Sequence, residues 1–118
     1  MKTRWIALLA CAACAAWGQN KKNADMIEKD TLSTSAGDLT IFFVGHGSLA
    51  FRHGGKVIHV DPVSREADYA TMPKADLILV THDHGDHLDP EAIAAVRKDG
   101  TKIVVSRACA GRLANAVV

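Results

Sequence analysis

The feature that most constrains this chain is a run of six residues that directly follows an apolar stretch. The run reads HDHGDH (82–87), and it comes after DLILVT (76–81). A continuous apolar stretch of this length predicts a fully buried strand, so the polar run begins where a rigid strand ends. Imidazole and carboxylate groups are the usual ligands of zinc, iron and manganese. The pattern therefore predicts metal ligands held at one end of a sheet.

The spacing inside the run predicts two metal positions. His82 and His84 can point the same way from a loop, and Gly85 permits a tight turn. Asp86 and His87 can then face a second point a few ångströms away. Two metals ~3.5–4 Å apart can share a bridging hydroxide, which is nucleophilic at neutral pH because the metals lower its pKa. The alternative is a solvated turn of acidic residues and histidines, or a stray metal-binding tract, and the adjoining strand and a capped helix disfavour it.

The rest of the sequence predicts a mixed α and β fold. Gly54-Gly55 predicts a tight hairpin, and Asp89-Pro90-Glu91 carries the signals of a helix start. Asp99-Gly100 predicts the end of that helix. The predicted strands are 39–44, 48–53, 56–60, 76–81 and 102–106, and the predicted helices are 90–98 and 108–118. This order is a meander of strands followed by a strand–helix–strand unit.

Residues 1–18 carry the three-part pattern of a secretory signal peptide. Lys2 and Arg4 precede the apolar run Trp5–Trp17, and small residues stand at 16 and 18, the positions that a signal peptidase reads. The run is shorter than the about 20 residues of a permanent transmembrane helix. We therefore expect an exported, periplasmic or secreted protein without a stable transmembrane segment. A buried N-terminal helix, or a lipoprotein anchored through Cys11, is the alternative.

The charge and cysteine content limit the partners and the redox chemistry. The net charge of +1 would become −1 without Lys2 and Arg4, and neither value favours nucleic acid or an acidic membrane as a partner. Cleavage would leave Cys109 alone, so an internal disulfide could not form, and a small buried apolar role suits this residue better than a nucleophilic one. Residues 19–37 are polar, which predicts a linker with a short helical turn around 24–29.

Several motifs together resemble one enzyme superfamily. His82-x-His84-x-Asp86-His87 after a strand resembles the signature of the metallo-β-lactamase superfamily. The segments FVGHGS (43–48), VDP (60–62) and THDH (81–84) narrow the resemblance to a branch of ascorbate-6-phosphate lactonase-like and N-acylphosphatidylethanolamine phospholipase D-like hydrolases. The resemblance covers residues 38–118, and its motifs do not fix a substrate.

The resemblance implies a role for each residue of the histidine motif. His82 and His84 would bind a first metal, while Asp86 and His87 would bind a second. Asp86 would also orient the attacking water, which makes it the candidate catalytic residue. The implied cofactors are two divalent ions, zinc first, with manganese or iron as alternatives.

Two residues outside the motif are weaker candidates. Asp61 ends a predicted strand and would accept a hydrogen bond from a ligand histidine, although a turn residue is an equally good interpretation. His46 interrupts a strand between two glycines and would face the site, unless its role is structural. His53 and His59 fall in strand patterns and are interpreted as ordinary strand residues. Asp83 is expected to be solvated or bonded to the backbone.

The superfamily fold, as the resemblance implies it, is an α+β four-layer αβ/βα sandwich of two similar halves, each of which supplies metal ligands. This chain matches about the first half: no histidine follows His87, and the later carboxylates Asp89, Glu91 and Asp99 suit capping and surface roles. We expect the missing ligands beyond Val118, in a longer form of the protein. A half-sandwich is also expected to expose a sheet edge and an apolar face.

The predicted function is that of a metal-dependent hydrolase that uses a metal-bound hydroxide on an ester, lactone or phosphodiester and is active in its longer form. The alternative is a non-catalytic fragment that binds metal or another chain. Oxygen or nitric-oxide reduction at iron is disfavoured, because relatives with that chemistry tend to carry glutamate where His84 stands. A small molecule is the expected substrate, and the oligomeric state stays open.

Overall fold

One six-stranded sheet organises the chain in the computed structural model, which describes residues 21–118. The strands lie side by side in chain order, from β1 to β6. The first four strands pair antiparallel, while β4, β5 and β6 pair parallel. The strands are β1 (Glu28–Thr34), β2 (Gly37–Gly45), β3 (Ser48–His53), β4 (Lys56–Val60), β5 (Leu77–Val80) and β6 (Lys102–Val105). One α-helix, α1 (Pro90–Val96), connects β5 to β6.

Local signals account for the tight connections. Gly54 and Gly55 both have positive φ, 54° and 74°, as the hairpin between β3 and β4 requires, and this confirms the predicted turn. The carboxylate of Asp89 accepts hydrogen bonds from the backbone N–H groups of Glu91 and Ala92, and Pro90 occupies the first helical position. Helix α1 ends at Val96, two residues earlier than predicted.

The two faces of the sheet differ in their cover. One face packs against α1 and the connecting loops around a core that includes Val44, Ile78 and Val96, all fully buried. The opposite face is also apolar, and its side chains are only partly buried. A shallow groove of about 610 Å³ runs along it, lined by Leu39, Phe51, Ile58, Val60 and Leu79 among others. Within the described residues this face has no covering layer, as expected for half of a sandwich.

The predicted linker over 19–37 is wrong for residues 28–34, which form β1 and pair with β2. Its pattern is polar because every residue of β1 is exposed at the sheet edge, so no apolar alternation marks it. The predicted helical turn nearby is present as a short 3₁₀ helix, Ala24–Met26.

The predicted helix over 108–118 is also wrong. A 3₁₀ helix, Arg107–Cys109, is followed by turns in which Gly111 and Asn115 take positive φ. Val117 then exchanges backbone hydrogen bonds with β6, at Ile103 and Val105. Pairing with the strand thus replaces the helical hydrogen bonds that the alanine-rich sequence favours.

The predicted signal peptide and the alternative lipid anchor at Cys11 lie outside the described residues. Within residues 21–118, no helix has the length and apolar character needed to cross a membrane.

Candidate metal centre

Three chain segments meet at one end of the sheet, where the parallel strands β4 and β5 finish. The residues that follow these strands, Asp61 and 81–87, therefore emerge at the same end. The turn between β2 and β3 reaches this end as well, because β3 runs antiparallel to β4 with Leu49 opposite Val60. The topology therefore brings His46, Asp61 and the histidine run together although they are far apart in sequence.

The backbone is unusual where it enters the site. His46 and Asp61 have positive φ, 50° and 45°, a region that non-glycine residues seldom occupy and that is often retained at functional sites. Gly47 permits a close approach: a Cβ atom there would lie 2.8 Å from Cε1 of His87. The turn between β2 and β3 thus packs directly on a candidate ligand.

Asp61 organises the centre from a buried position, with 2% of its surface exposed. Its Oδ1 accepts a hydrogen bond from the backbone N–H of Thr81 at 2.7 Å. Its Oδ2 accepts from the Thr81 hydroxyl at 2.6 Å and from Nδ1 of His87 at 2.8 Å. The Ser48 hydroxyl in turn donates to the backbone carbonyl of Asp61. With Nδ1 of His87 used in this way, its Nε2 is left with the lone pair that a metal needs.

The six predicted site residues form three overlapping groups. In each group, one ligand atom per residue lies within 4.8 Å of the others. The rings of His82 and His87 lie 3.8 Å apart between centroids, and those of His82 and His84 lie 4.8 Å apart. The groups are His82–His84–Asp86, Asp61–His82–His87 and His46–Asp86–His87. Clustered imidazole nitrogens and carboxylate oxygens are a donor set that fits zinc, and also iron or manganese.

His46 contacts the centre through Asp86. Its Nε2 lies 2.9 Å from Oδ2 of Asp86, and both side chains are partly exposed. The pKa of Asp86 is lowered by a hydrogen bond from its own backbone N–H, with a further contribution from His46. Asp86 is therefore ionised at neutral pH and available as an oxygen ligand.

Thr81 is the site residue to which the sequence interpretation gave no role. Besides its two bonds to Asp61, its hydroxyl lies 3.0 Å from Nδ1 of His82. The sequence signal that could have identified it is a hydroxyl residue at the strand end, directly before the first histidine.

The remaining histidines and Asp83 lie outside the three groups. His59 is fully buried, and its Nε2 donates to the Pro73 carbonyl at 2.9 Å. Burial lowers the pKa of His59, so this ring is neutral. His53, at the end of β3, contacts the backbone carbonyl of Asp38 in the neighbouring strand β2. Asp83 forms a half-exposed ion pair with Arg112 at 3.5 Å.

The sequence of the chain matches a known protein family and several curated relatives. The model of the family described as "Beta-lactamase superfamily domain" matches residues 40–115. A UPF0173 metal-dependent hydrolase of Flavobacterium johnsoniae is 47% identical over 77 residues, which are 59% of this chain and 32% of the relative. A UPF0173 metal-dependent hydrolase of Thermococcus kodakarensis is 46% identical over 66 residues, which are 52% of this chain and 29% of the relative.

A solved structure shares the architecture as well. The crystal structure of a metal-dependent hydrolase from Parabacteroides distasonis superposes with a TM-score of 0.75 at 48% identity, over 78% of this chain and 42% of that one. The chain spans about a third of the length of the curated relatives it matches. The family match and the shared sheet show that the chain belongs to the family described as "Beta-lactamase superfamily domain". This is the metallo-β-lactamase superfamily, which the histidine motif resembles.

Proposed function

We propose that this chain supplies part of the metal site of a hydrolase that acts on a small-molecule ester, lactone or phosphodiester. The observation that carries the proposal is the convergence of His82, His84, Asp86 and His87 in overlapping groups, in which the buried carboxylate of Asp61 is hydrogen-bonded to His87. The names of the relatives, metal-dependent hydrolases, support the same reaction class. The motifs at 43–48 and 60–62 favour the lactonase-like and phospholipase D-like branch.

Each residue of this chain has a distinct part in the proposed reaction. His82 and His84 hold one divalent ion, and Asp86 and His87 hold the other, with zinc as the first candidate and manganese or iron next. A divalent ion supplies Lewis-acid chemistry: it lowers the pKa of bound water and stabilises negative charge on the substrate. The Asp86 carboxylate also orients the attacking water by accepting a hydrogen bond from it. Asp61 keeps the ring of His87 in one orientation.

The test is the double substitution His84→Ala and Asp86→Ala in the full-length protein. We expect loss of bound metal in elemental analysis, together with loss of turnover on p-nitrophenyl acetate, a lactone and bis-p-nitrophenyl phosphate. The matched control is His53→Ala with Asp25→Ala, which removes the same residue types away from the centre and should keep both properties. Turnover retained in the double variant would contradict the proposal. A wild-type protein that binds metal but turns over none of the three would favour the non-catalytic alternative.

We further propose that the protein is exported, on the signal-peptide pattern of residues 1–18. Mass spectrometry of the protein from its native host should find an N-terminus at Gln19 in the periplasm or medium. A mature N-terminus at a lipid-modified Cys11 would instead support membrane anchoring.

A further inference from the structure

We propose that Thr81 is a positioning residue: its hydroxyl connects Asp61 to His82 and so fixes which ring nitrogen of His82 faces the metal. This inference rests on the metal site proposed above and deepens it. It concerns a contact outside the proposed metal–ligand bonds, because Nδ1 of His82 meets Thr81 and leaves Nε2 for the ion.

The direction of each hydrogen bond follows from counting protons. The Asp61 carboxylate accepts at Oδ2, where the Thr81 hydroxyl donates its single proton at 2.6 Å. The hydroxyl therefore has only lone pairs to offer at its 3.0 Å contact with Nδ1 of His82. The ring must donate there, which places the proton on Nδ1 and the free lone pair on Nε2.

One carboxylate thus determines which nitrogen carries the proton in two neighbouring imidazole rings. Oδ2 of Asp61 accepts directly from Nδ1 of His87 and, through the Thr81 hydroxyl, governs Nδ1 of His82. The two rings are 3.8 Å apart between centroids, and both are left with Nε2 as the ligand atom. Control by one carboxylate, direct for His87 and through Thr81 for His82, gives both imidazoles the same tautomer before any metal binds, which reduces the cost of assembling the site.

A purely structural role for Thr81 makes a different prediction. Its backbone N–H also anchors the strand end by donating to Oδ1 of Asp61 at 2.7 Å. The substitution Thr81→Val keeps this backbone bond and the branched shape but removes the hydroxyl, whereas Thr81→Ser keeps the hydroxyl. The two variants therefore separate the effect of the hydroxyl, which connects Asp61 to His82, from the anchoring of the strand by the backbone N–H.

The experiment uses the full-length protein with ¹⁵N-labelled histidine rings, first without metal. We expect the wild type and Thr81→Ser to show His82 protonated at Nδ1, and Thr81→Val to show a mixture of tautomers, with the His82 signal assigned from a His82→Gln spectrum. In zinc competition with a chelator, Thr81→Val should bind roughly 10–100-fold more weakly, the usual effect of losing an outer hydrogen bond. Thr81→Ser should stay close to the wild type. Thr40→Val, the same change at a buried core threonine, is the matched control and should leave the tautomer and zinc affinity unchanged.

Two results would overturn the inference. One is an unchanged His82 tautomer and zinc affinity in Thr81→Val. The other is a loss in Thr81→Ser as large as in Thr81→Val, since this would assign the effect to packing. The hydrolase proposal fails separately. A wild-type protein without turnover would contradict the hydrolase proposal and leave the tautomer measurement valid. An active hydrolase whose Thr81→Val spectrum is unchanged would contradict only the role of Thr81.

Discussion

Oδ2 of Asp61 and Nδ1 of His87 lie 2.8 Å apart, with both side chains largely withdrawn from solvent. The bond joins the end of β4 to the loop after β5, so it connects a residue of the strand meander to the histidine run. Because few waters reach this pair, its hydrogen bond cannot easily be replaced by solvent. The orientation of His87 therefore depends on Asp61.

The substitution Asp61→Asn tests this dependence. Asparagine tolerates the positive φ at this position, so the change removes the charge and leaves the backbone in place. We expect zinc affinity to fall roughly 10–100-fold, because the amide accepts less strongly from Nδ1 of His87. Chelator competition measures the effect, and unchanged affinity would contradict the role of Asp61.

Gly47 should tolerate no side chain. In Gly47→Ala the new Cβ would meet the His87 ring at 2.8 Å, so either the ring or the turn must shift. We expect a lower thermal midpoint and weaker zinc binding. Gly85→Ala is the matched control, since a Cβ there meets nothing within 4 Å, and its thermal midpoint should stay near that of the wild type. Equal effects of the two substitutions would argue against the steric explanation.

The start of α1 should depend on Asp89. Its Oδ1 accepts from the backbone N–H of Glu91, and its Oδ2 accepts from both the backbone N–H and the hydroxyl of Ser64. Replacing an N-cap by alanine costs about 0.5–2 kcal/mol, and the loss of the Ser64 contacts places Asp89→Ala in the upper part of that range. Urea unfolding measures the change. Asp89→Asn retains capping and should lose less; a full loss in that variant would assign the effect to charge.

The acid stability of the chain should reflect Asp76. The backbone N–H of Val57, and then the Lys98 ammonium, hold the pKa of Asp76 below its ordinary value. A lowered folded pKa stabilises the fold above the unfolded value of about 3.9, and this stabilisation is lost as the pH falls through the folded pKa. Asp76→Asn should therefore have a lower thermal midpoint than the wild type at pH 7, with the gap closing as the pH falls below the unfolded value and through the folded pKa. A gap that is independent of pH would contradict this assignment.

The uncovered sheet face should make residues 21–118 associate when produced alone. Phe51 and Ile58 are paired neighbours in the groove on that face. An apolar surface of this kind favours aggregation, so Phe51→Ser with Ile58→Ser should lower light scattering at equal concentration. Val118→Ser, at an exposed apolar residue outside the groove, is the control. Equal scattering from all three proteins would show that the face does not drive association.

Residues with strong local signals were predictable from sequence. The glycine pair at 54–55, the Asp89 cap and the apolar run before His82 each act within a few residues, and the structure contains the turn, the helix and the strand that they predict. Strand β1 carries no such signal, because an edge strand exposed on both faces needs no apolar alternation. The pairing of Val117 with β6 depends on a partner distant in sequence, which local helix propensity cannot describe.

The candidate centre divides in the same way. The spacing of the histidine run identified four clustered donors, because neighbours in sequence are neighbours in space. His46 and Asp61 lie 36 and 21 positions before His82 in the sequence, and their proximity to the run arises from sheet register. The role of the Thr81 hydroxyl could not be predicted from the sequence. It depends on the positions of Asp61 and His82 in space, which decide to which atom the hydroxyl donates.

The agreement between chain order and sheet order has a consequence for synthesis. Each strand pairs with the strand made just before it, so the sheet can grow at one edge as the chain leaves the ribosome. Strand β4 and Asp61 are then available as a template when Thr81 and His82 emerge. The ligand loop can therefore close onto an acceptor that is already in place, since no later strand has to be inserted between β4 and β5.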